Sequence, residues 1–558
     1  MNRPGRFLNA PITFLVAVFI AGGMFMVAVT QGLAMASAFV FLASALLWSF
    51  NSDAGGIYCL ILAALFEGIY KAMSPNMLTM LVKDFFLGIL LLRLFWVSQR
   101  QRDFRWLHQP FTSAAVCFTA YCVALMFSPT TRSILLALAG LRAWILWMPA
   151  YFPFYHYFTS LERISRFVRV LILIMLPVSV YGIIQGNIGY AHTRILPNFY
   201  AQAQFYQSDY TPEVVQSEDE ANAGFEASFK PIMNVRACSI HLSPGTFGAV
   251  CAFLMLVSLG YAGYVRSSSG RVWAVASGVA AAGGLLASGS RAPMMGLAFG
   301  LLAMLLVARR RTILIAGFII IALVSVFYLR DVTGGGALRL ENRLSVPIAM
   351  ERALMPMARG LEEGIRHPFG LGIATGTGMG RVFYKSDLKQ AEGTQWVENE
   401  FGRALTELGF VGASLWLLMI VGILWQCVRA IRQLGSTREG VLAAGLFGAM
   451  MSVFAQLSVG SALYGANSGL YYWIFAAMIV RMAEHLTVAH RQGQEEEAPD
   501  LAATGSLGTA PPPTLWRQPG QRPPRPQPSL RPTGPAGPGD YRRAPGAPPG
   551  PRPGAPRE

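Results

Sequence analysis

Charge is scarce in this chain. Of its 558 residues, 13% are Asp, Glu, Lys or Arg, against roughly 25% in soluble globular domains, so a soluble fold is excluded. Cysteine is scarce too, at six residues. Cys59, Cys117, Cys122, Cys251 and Cys427 fall inside apolar runs, and Cys238 falls near a loop. Their spacing suits neither a disulfide framework nor a metal site. The sequence also lacks a P-loop, a zinc signature, a nucleophile elbow and a dinucleotide fingerprint. No metal and no cofactor are therefore expected. A cleavable signal peptide is not expected either: the apolar run after Arg3 and Arg6 is too long for an h-region and has no small-residue cleavage site.

What is present is apolar. Hydrophobic residues make up 53% of the chain, with a mean hydropathy of +0.43. Runs such as Ile12 to Thr30, Gly32 to Phe50 and Thr312 to Leu329 approach the roughly 20 residues that a helix needs to cross a bilayer. Lipid offers the backbone no hydrogen bonds, so such spans are helical. The expected fold class is all-α, a polytopic membrane protein of about 14 transmembrane helices. They are placed at 11–30, 32–50, 54–70, 78–97, 111–128, 133–152, 167–186, 240–264, 271–289, 291–308, 312–329, 408–428, 441–460 and 467–483.

Charge in the short loops orients them. With the N-terminus inside, inner loops hold Arg100, Arg102, Arg105, Arg163, Arg166, Arg266, Arg271, Arg309 to Arg311, Arg429, Arg432 and Arg438. The short outer loops hold little beyond Lys71, Arg132 and Arg291. That asymmetry is the positive-inside pattern, and it sets both termini in the cytoplasm of a bacterial inner membrane. The formal charge of +16 is thereby assigned to topology and lipid head groups, and no nucleic acid partner is expected.

The domain organisation follows. Residues 1–10 are a cytoplasmic N-terminus and 11–186 a first transmembrane bundle. Residues 187–239 form a first large periplasmic loop, and 240–329 return to the membrane. Residues 330–407 form a second large periplasmic loop, partly helical, before the closing spans within 408–491. The Pro- and Arg-rich segment 492–558 cannot bury a core and reads as a disordered cytoplasmic tail. Large insertions are better places for function than short connections.

Three charged motifs lie at the outer face. In Ser288-Gly289-Ser290-Arg291 the arginine opens a helix, with Pro293 in its first turn. Helix N-termini favour anions, and a guanidinium offers forked donors to phosphate oxygens; the same arginine can also simply snorkel to the interface. The second loop carries Arg339, Arg343, Arg352, Arg359 and Arg366, followed by His367-Pro368-Phe369-Gly370-Leu371-Gly372. Arg352, Arg359 and Arg366 would share one helix face, which suits a lipid diphosphate if it faces the membrane and is a solvated surface if it does not. Last comes Trp396-Val397-Glu398-Asn399-Glu400-Phe401, with Arg403 and Glu407 beyond. A carboxylate here is placed to act as general base on a sugar hydroxyl; equally, Glu400, Arg403 and Glu407 have the spacing of surface ion pairs. Within the first loop, His192 and Arg194 are further anion candidates. Glu67, Lys83, Asp84 and Arg142 fall inside spans, where charges are costly and usually paired, and a Glu67–Lys83 pair is expected.

The order of these parts resembles the bacterial O-antigen ligase and O-antigen polymerase superfamily. The residues carrying the likeness are Ser288–Arg291, His367–Gly372 and Asn399–Gly412, within roughly residues 240 to 425. The resemblance implies a membrane-embedded, metal-independent glycosyltransferase. Its donor would be a polyprenyl-diphosphate-linked glycan and its acceptor a glycan or lipid, with a chain-length regulator or other assembly protein as a further partner. It implies that Arg291 serves the diphosphate in binding and catalysis and that Arg343, Arg352 or Arg359 supplies a second arginine. Arg194, His367 and Asn399 are further substrate-binding candidates from their own placement, and Glu398 is the candidate catalytic base. Ligases of the family typically have His before the Asn of the last motif, where this chain has Glu398. The expected function is therefore polymerisation of lipid-linked repeat units of a surface polysaccharide. Ligation to a lipid or protein is the alternative, and a polysaccharide flippase is the alternative of another class.

Overall fold

The computed structural model describes residues 33–69, 77–128, 134–188, 237–241, 243–308, 319, 346–374, 399–458, 460, 462–463 and 466–503. The expected span 11–30 lies outside them, as does 312–329 except for Ile319, and as do Arg194, Arg343 and Glu398. All regular structure among the described residues is helical: α1 (Leu33–Asn51), α2 (Asp53–Leu65), α3 (Met77–Gln101), α4 (Thr112–Met126), α5 (Ile134–Ile145), α6 (Tyr151–Tyr157), α7 (Leu161–Ile188), α8 (Pro244–Tyr264), α9 (Ser268–Ser288), α10 (Arg291–Val307), α11 (Val346–Arg366), α12 (Glu400–Leu434), α13 (Arg438–Gln456) and α14 (Ala466–Ala503). Residues 1–495 form one compact unit and 496–558 another, of which only 496–503 are described.

Among the described residues, five helices are long and apolar enough to cross a membrane, or six if one bent pair is a single span. The chain is a multi-pass membrane protein. Three shorter apolar helices, within α2, α4 and α10, accompany them. The most buried spans are α8 and α13, with 78% of their apolar windows inside the molecule. They cross at glycines: a Cβ on Gly260 would come within 2.9 Å of the Gly445 Cα. Lipid does not drive helices together as water does, so such close backbone approach is what membrane helices use to gain dispersion contact.

Two span boundaries differ from the sequence expectation, with consequences for the site. The span expected at 133–152 is broken: α5 ends at Ile145, a 3-10 turn follows at Met148–Ala150, and the two halves meet at 43°. Pro149 at the start of the new turn cannot donate a backbone hydrogen bond, which favours the break. The span expected at 408–428 is part of a longer helix that begins at Glu400 and bends at Gly409, whose φ of 65° and ψ of −172° are open only to glycine. In addition, α14 runs on through Ala503, past residue 492 where the tail was expected to begin.

Candidate functional site

The site is built around the first two turns of α12. Asn399 caps this helix: its Oδ1 accepts the amides of Phe401 and Gly402 at 2.8 and 3.1 Å, and its Nδ2 donates to the Ser458 carbonyl at 2.6 Å. Both ends of this fully buried amide thus serve the fold. The next turns carry Glu400, Arg403 and Glu407. The spacing suggested surface pairs, yet the three are 1%, 2% and 0% exposed. Arg403 lies 3.9 Å from Glu400 and 4.0 Å from Glu407, with its guanidinium stacked 4.4 Å from the Trp144 ring centre. Glu400 accepts the Leu463 amide at 3.0 Å. Glu407 accepts the Trp144 indole N–H at 2.8 Å and the Ala374 amide at 3.1 Å. Spacing cannot distinguish a surface pair from a buried one. What buries this triad is Trp144, at the broken end of α5, together with the turn that follows α11.

That turn is the His-Pro-Phe-Gly-Leu-Gly motif, and it docks onto the bend of α12. The amides of Leu371 and Gly372 donate to the carbonyls of Thr406 and Glu407, and the Val411 amide donates to the Pro368 carbonyl. Tyr121 clamps both partners, its hydroxyl lying 3.0 Å from the Phe369 carbonyl and 2.8 Å from that of Leu408. The contact needs two glycines. Gly370 has φ +85° and a Cβ there would sit 2.6 Å from the Leu408 carbonyl carbon; one on Gly409 would sit 2.6 Å from that of Pro368. The structure thus joins two motifs that are separate in sequence.

Other charges in the membrane are paired. Lys83 pairs with Glu67, as expected, and Arg142 with Asp84. Lys83 also faces the Trp147 ring at 5.9 Å. Trp147 in turn abuts Gly469, which lies against Leu463. A continuous path of contacts therefore links the acidic–basic pair on the early helices to Glu400 and Arg403.

The Ser-Gly-Ser-Arg motif closes another part of the same end. Gly289 takes the left-handed conformation that stops α9 (φ 56°), and Ser290 precedes α10 in extended geometry. Ser288 and Ser290 are buried. Arg291 occupies the first helical position of α10, as expected, although its side chain lies outside the described residues. Against this junction rests the segment 237–241; sequence reading put 237–239 in the first large loop and began a span at 240, whereas the helix begins at Pro244. The Ala237 amide donates to the Ala287 carbonyl at 2.9 Å, and Gln185 receives the amides of Cys238 and Ser239 at 2.9 and 2.6 Å. Nothing in the local pattern marks that docking, since its partners come from α7 and α9.

Of the remaining candidates, Arg359, Arg366 and His367 are exposed, and Arg366 pairs with Glu362 at 2.6 Å. The opposite face of α11 packs on α12 at Gly360, where a Cβ would come 2.6 Å from the Gly402 carbonyl oxygen. Arg359 and Arg366 therefore point away from the buried triad. Arg352 lies in α11, with its side chain outside the described residues. Among the described residues no three His, Cys, Asp or Glu side chains converge as metal ligands.

The arrangement combines a helix start bearing an arginine, a buried carboxylate–guanidinium triad and a glycine-dependent turn. Residues 276–417 match the O-antigen ligase family. Over that stretch the chain is similar to O-antigen ligases. No curated protein matches the chain. The matched stretch begins within α9 and ends within α12, so it contains all three motifs named above.

One titratable group beside this stretch has a predicted pH signature. His241 is 1% exposed, and burial pushes its imidazole down to about 4 while the Glu67 charge opposes the shift. The folded state therefore resists the proton. Its contribution to stability is intact above the ordinary value of 6.5 and is lost as pH falls toward 4, amounting to about 3 kcal/mol at the lower limit. The thermal midpoint of the detergent-solubilised protein should fall across that window. In His241→Gln the fall should be shallower.

Proposed function

We propose that this chain is a glycosyltransferase that polymerises polyprenyl-diphosphate-linked oligosaccharide repeat units at the outer face of a bacterial inner membrane. The observation that carries the proposal is the O-antigen ligase match over residues 276–417, which takes in the arginine-opened helix and the Asn399–Gly412 motif. In the reaction, the anomeric carbon–oxygen bond to the diphosphate breaks, and a new bond forms to an acceptor sugar hydroxyl. The lipid diphosphate leaves with the bonding electrons. Such a leaving group needs orientation and charge stabilisation more than covalent help. Arg291, at the positive end of α10, is assigned to the developing diphosphate charge, with Arg343, Arg352 or Arg359 as a second cation. Glu398 is assigned to remove the hydroxyl proton. The glutamate at this position, where ligases have His, favours polymerase over ligase.

The size distribution of glycans in a strain lacking the protein tests the proposal. Single repeat units surviving without long chains would mean polymerase. Long chains left on the polyprenyl carrier would mean ligase, and repeat units trapped inside the cell would mean flippase. Arg291→Ala and Glu398→Gln should each lower polymer yield by about a hundredfold or more in protein that is still inserted and stable. Normal chain length and yield in both variants would remove these residues from the mechanism.

A further inference from the structure

The opposite end of the bundle holds a cavity that the proposed transfer does not use. From Lys83 to Gln101 α3 climbs about 18 residues, and α14 climbs about as many from Ala466 to Glu484. At ~1.5 Å per residue each rise is about 27 Å, close to the ~30 Å of a hydrocarbon core. Two independent helices thus carry the chain from the buried triad to the other membrane boundary. There the loop after α3, the end of α6 and the middle of α14, from Arg481 to Val488, line a cavity of about 760 Å³. A second, of about 600 Å³, shares its Asp103–Arg105 wall. Positive-inside charge assigns this end to the cytoplasmic face, since Arg100, Arg102, Arg163 and Arg166 gather there.

The lining is built of charge pairs rather than charge of one sign. Arg481 lies 2.6 Å from Glu484, and Arg105 lies 3.1 Å from Asp103 at the rim. The inner pair is held in place: Arg481 Nε donates to the Phe158 carbonyl at 3.2 Å, the guanidinium stacks 4.8 Å from the Tyr155 ring centre, and the Tyr155 hydroxyl donates to Glu484 at 2.7 Å. Val488 and Trp106 add apolar wall. A site for a simple anion would not set two carboxylates among its cations, because like charge repels the ligand. A site for a cation would not set two guanidiniums there. Both signs, fixed a few ångströms apart at a membrane boundary, match a ligand with a phosphate and a primary ammonium on one short linker.

We propose that this cavity binds a phosphoethanolamine head group, with the guanidiniums on the phosphate and Glu484 and Asp103 on the ammonium. The group can arrive on a phospholipid of the inner leaflet or as a free phosphoethanolamine. This site is independent of the transfer proposed above and survives if that reading fails.

Native mass spectrometry of the full-length protein in detergent, with phosphatidylethanolamine and phosphatidylglycerol offered at equal concentration, tests it. Phosphatidylethanolamine should be retained about tenfold better, and Glu484→Gln should remove that preference while leaving phosphatidylglycerol adducts unchanged. Because Glu484 also anchors Arg481, Asp103→Asn at the exposed rim is the second variant and should reduce the preference in the same direction. Soluble phosphoethanolamine that displaces the lipid shows recognition of the head group by itself; failure to displace it shows that the acyl chains share in binding. Equal or better retention of phosphatidylglycerol, or a preference untouched by both variants, would overturn the proposal.

Discussion

Gly409→Ala is expected to destabilise the protein by about 3 kcal/mol or more and to abolish polymer formation. Two costs add. The backbone at Gly409, with φ 65° and ψ −172°, lies in a region essentially closed to residues with a side chain, worth about 1–3 kcal/mol alone. The new carbon would also meet the Pro368 carbonyl carbon at 2.6 Å, and a backbone atom cannot rotate aside as a flexible side chain can. Gly435 provides the control. It too has positive φ (+61°), but nothing lies within 4 Å of a Cβ built there. With its ψ of −134° the backbone strain remains, so Gly435→Ala should cost about 1–3 kcal/mol, and the excess seen in Gly409→Ala measures the clash. Gly370→Ala breaks the same docking from the other side, so the double variant Gly370→Ala/Gly409→Ala should be little worse than either single one. Thermal midpoints in detergent, followed by size-exclusion chromatography, give all four values. Similar midpoints for Gly409→Ala and Gly435→Ala would show that the turn does not depend on that contact.

The same glycines show where sequence reading succeeds and where it stops. Apolar run length and loop arginines were enough to identify a polytopic helical protein, because lipid leaves the backbone no other solution. The Glu67–Lys83 pair was legible for the same reason, since an isolated charge in hydrocarbon is too costly to keep. The motifs at Ser288, His367 and Asn399 were legible as motifs, and the stretch that matches the O-antigen ligase family covers all three. Their assembly was not legible. The break at 146–147, where Pro149 and a Tyr-rich stretch follow the Leu-rich α5, places Trp144 over Arg403, a partner that no local signal names. Glu400, Arg403 and Glu407 have helical spacing whether they face water or protein. The choice is made by residues far away in the chain, at Trp144, Ala374 and Leu463. Asn399 reads as a ligand-binding side chain in a loop, whereas its amide serves to start α12 and tie it to Ser458. Local pattern gives the parts; long-range contacts decide which parts are buried.

That burial makes Arg403 the second position of large expected effect. Arg403→Met would leave the carboxylates of Glu400 and Glu407 buried without the cation between them, at a cost of about 3–5 kcal/mol. Arg403→Lys keeps the charge but loses the flat stacking on Trp144, so an intermediate cost is expected. The carboxylate side distinguishes charge from hydrogen bonding. Glu407→Gln retains an oxygen able to accept the Trp144 and Ala374 N–H groups, whereas Glu407→Leu leaves both donors unsatisfied in the interior, costing about 1–3 kcal/mol for each. Glu407→Gln should therefore be the milder single variant. Combined with Arg403→Met it should restore part of the stability that Arg403→Met loses, because one of the two stranded charges is gone. A double-mutant cycle on thermal midpoints measures that recovery. If the double variant is as unstable as the sum of the two singles, Arg403 acts through its packing against Trp144, and its charge contributes nothing to holding Glu407 in place. If recovery is seen, the guanidinium holds the turn bearing His367 against the bend of α12 through Glu407, and loss of polymer in Arg403→Met would follow from loss of that turn.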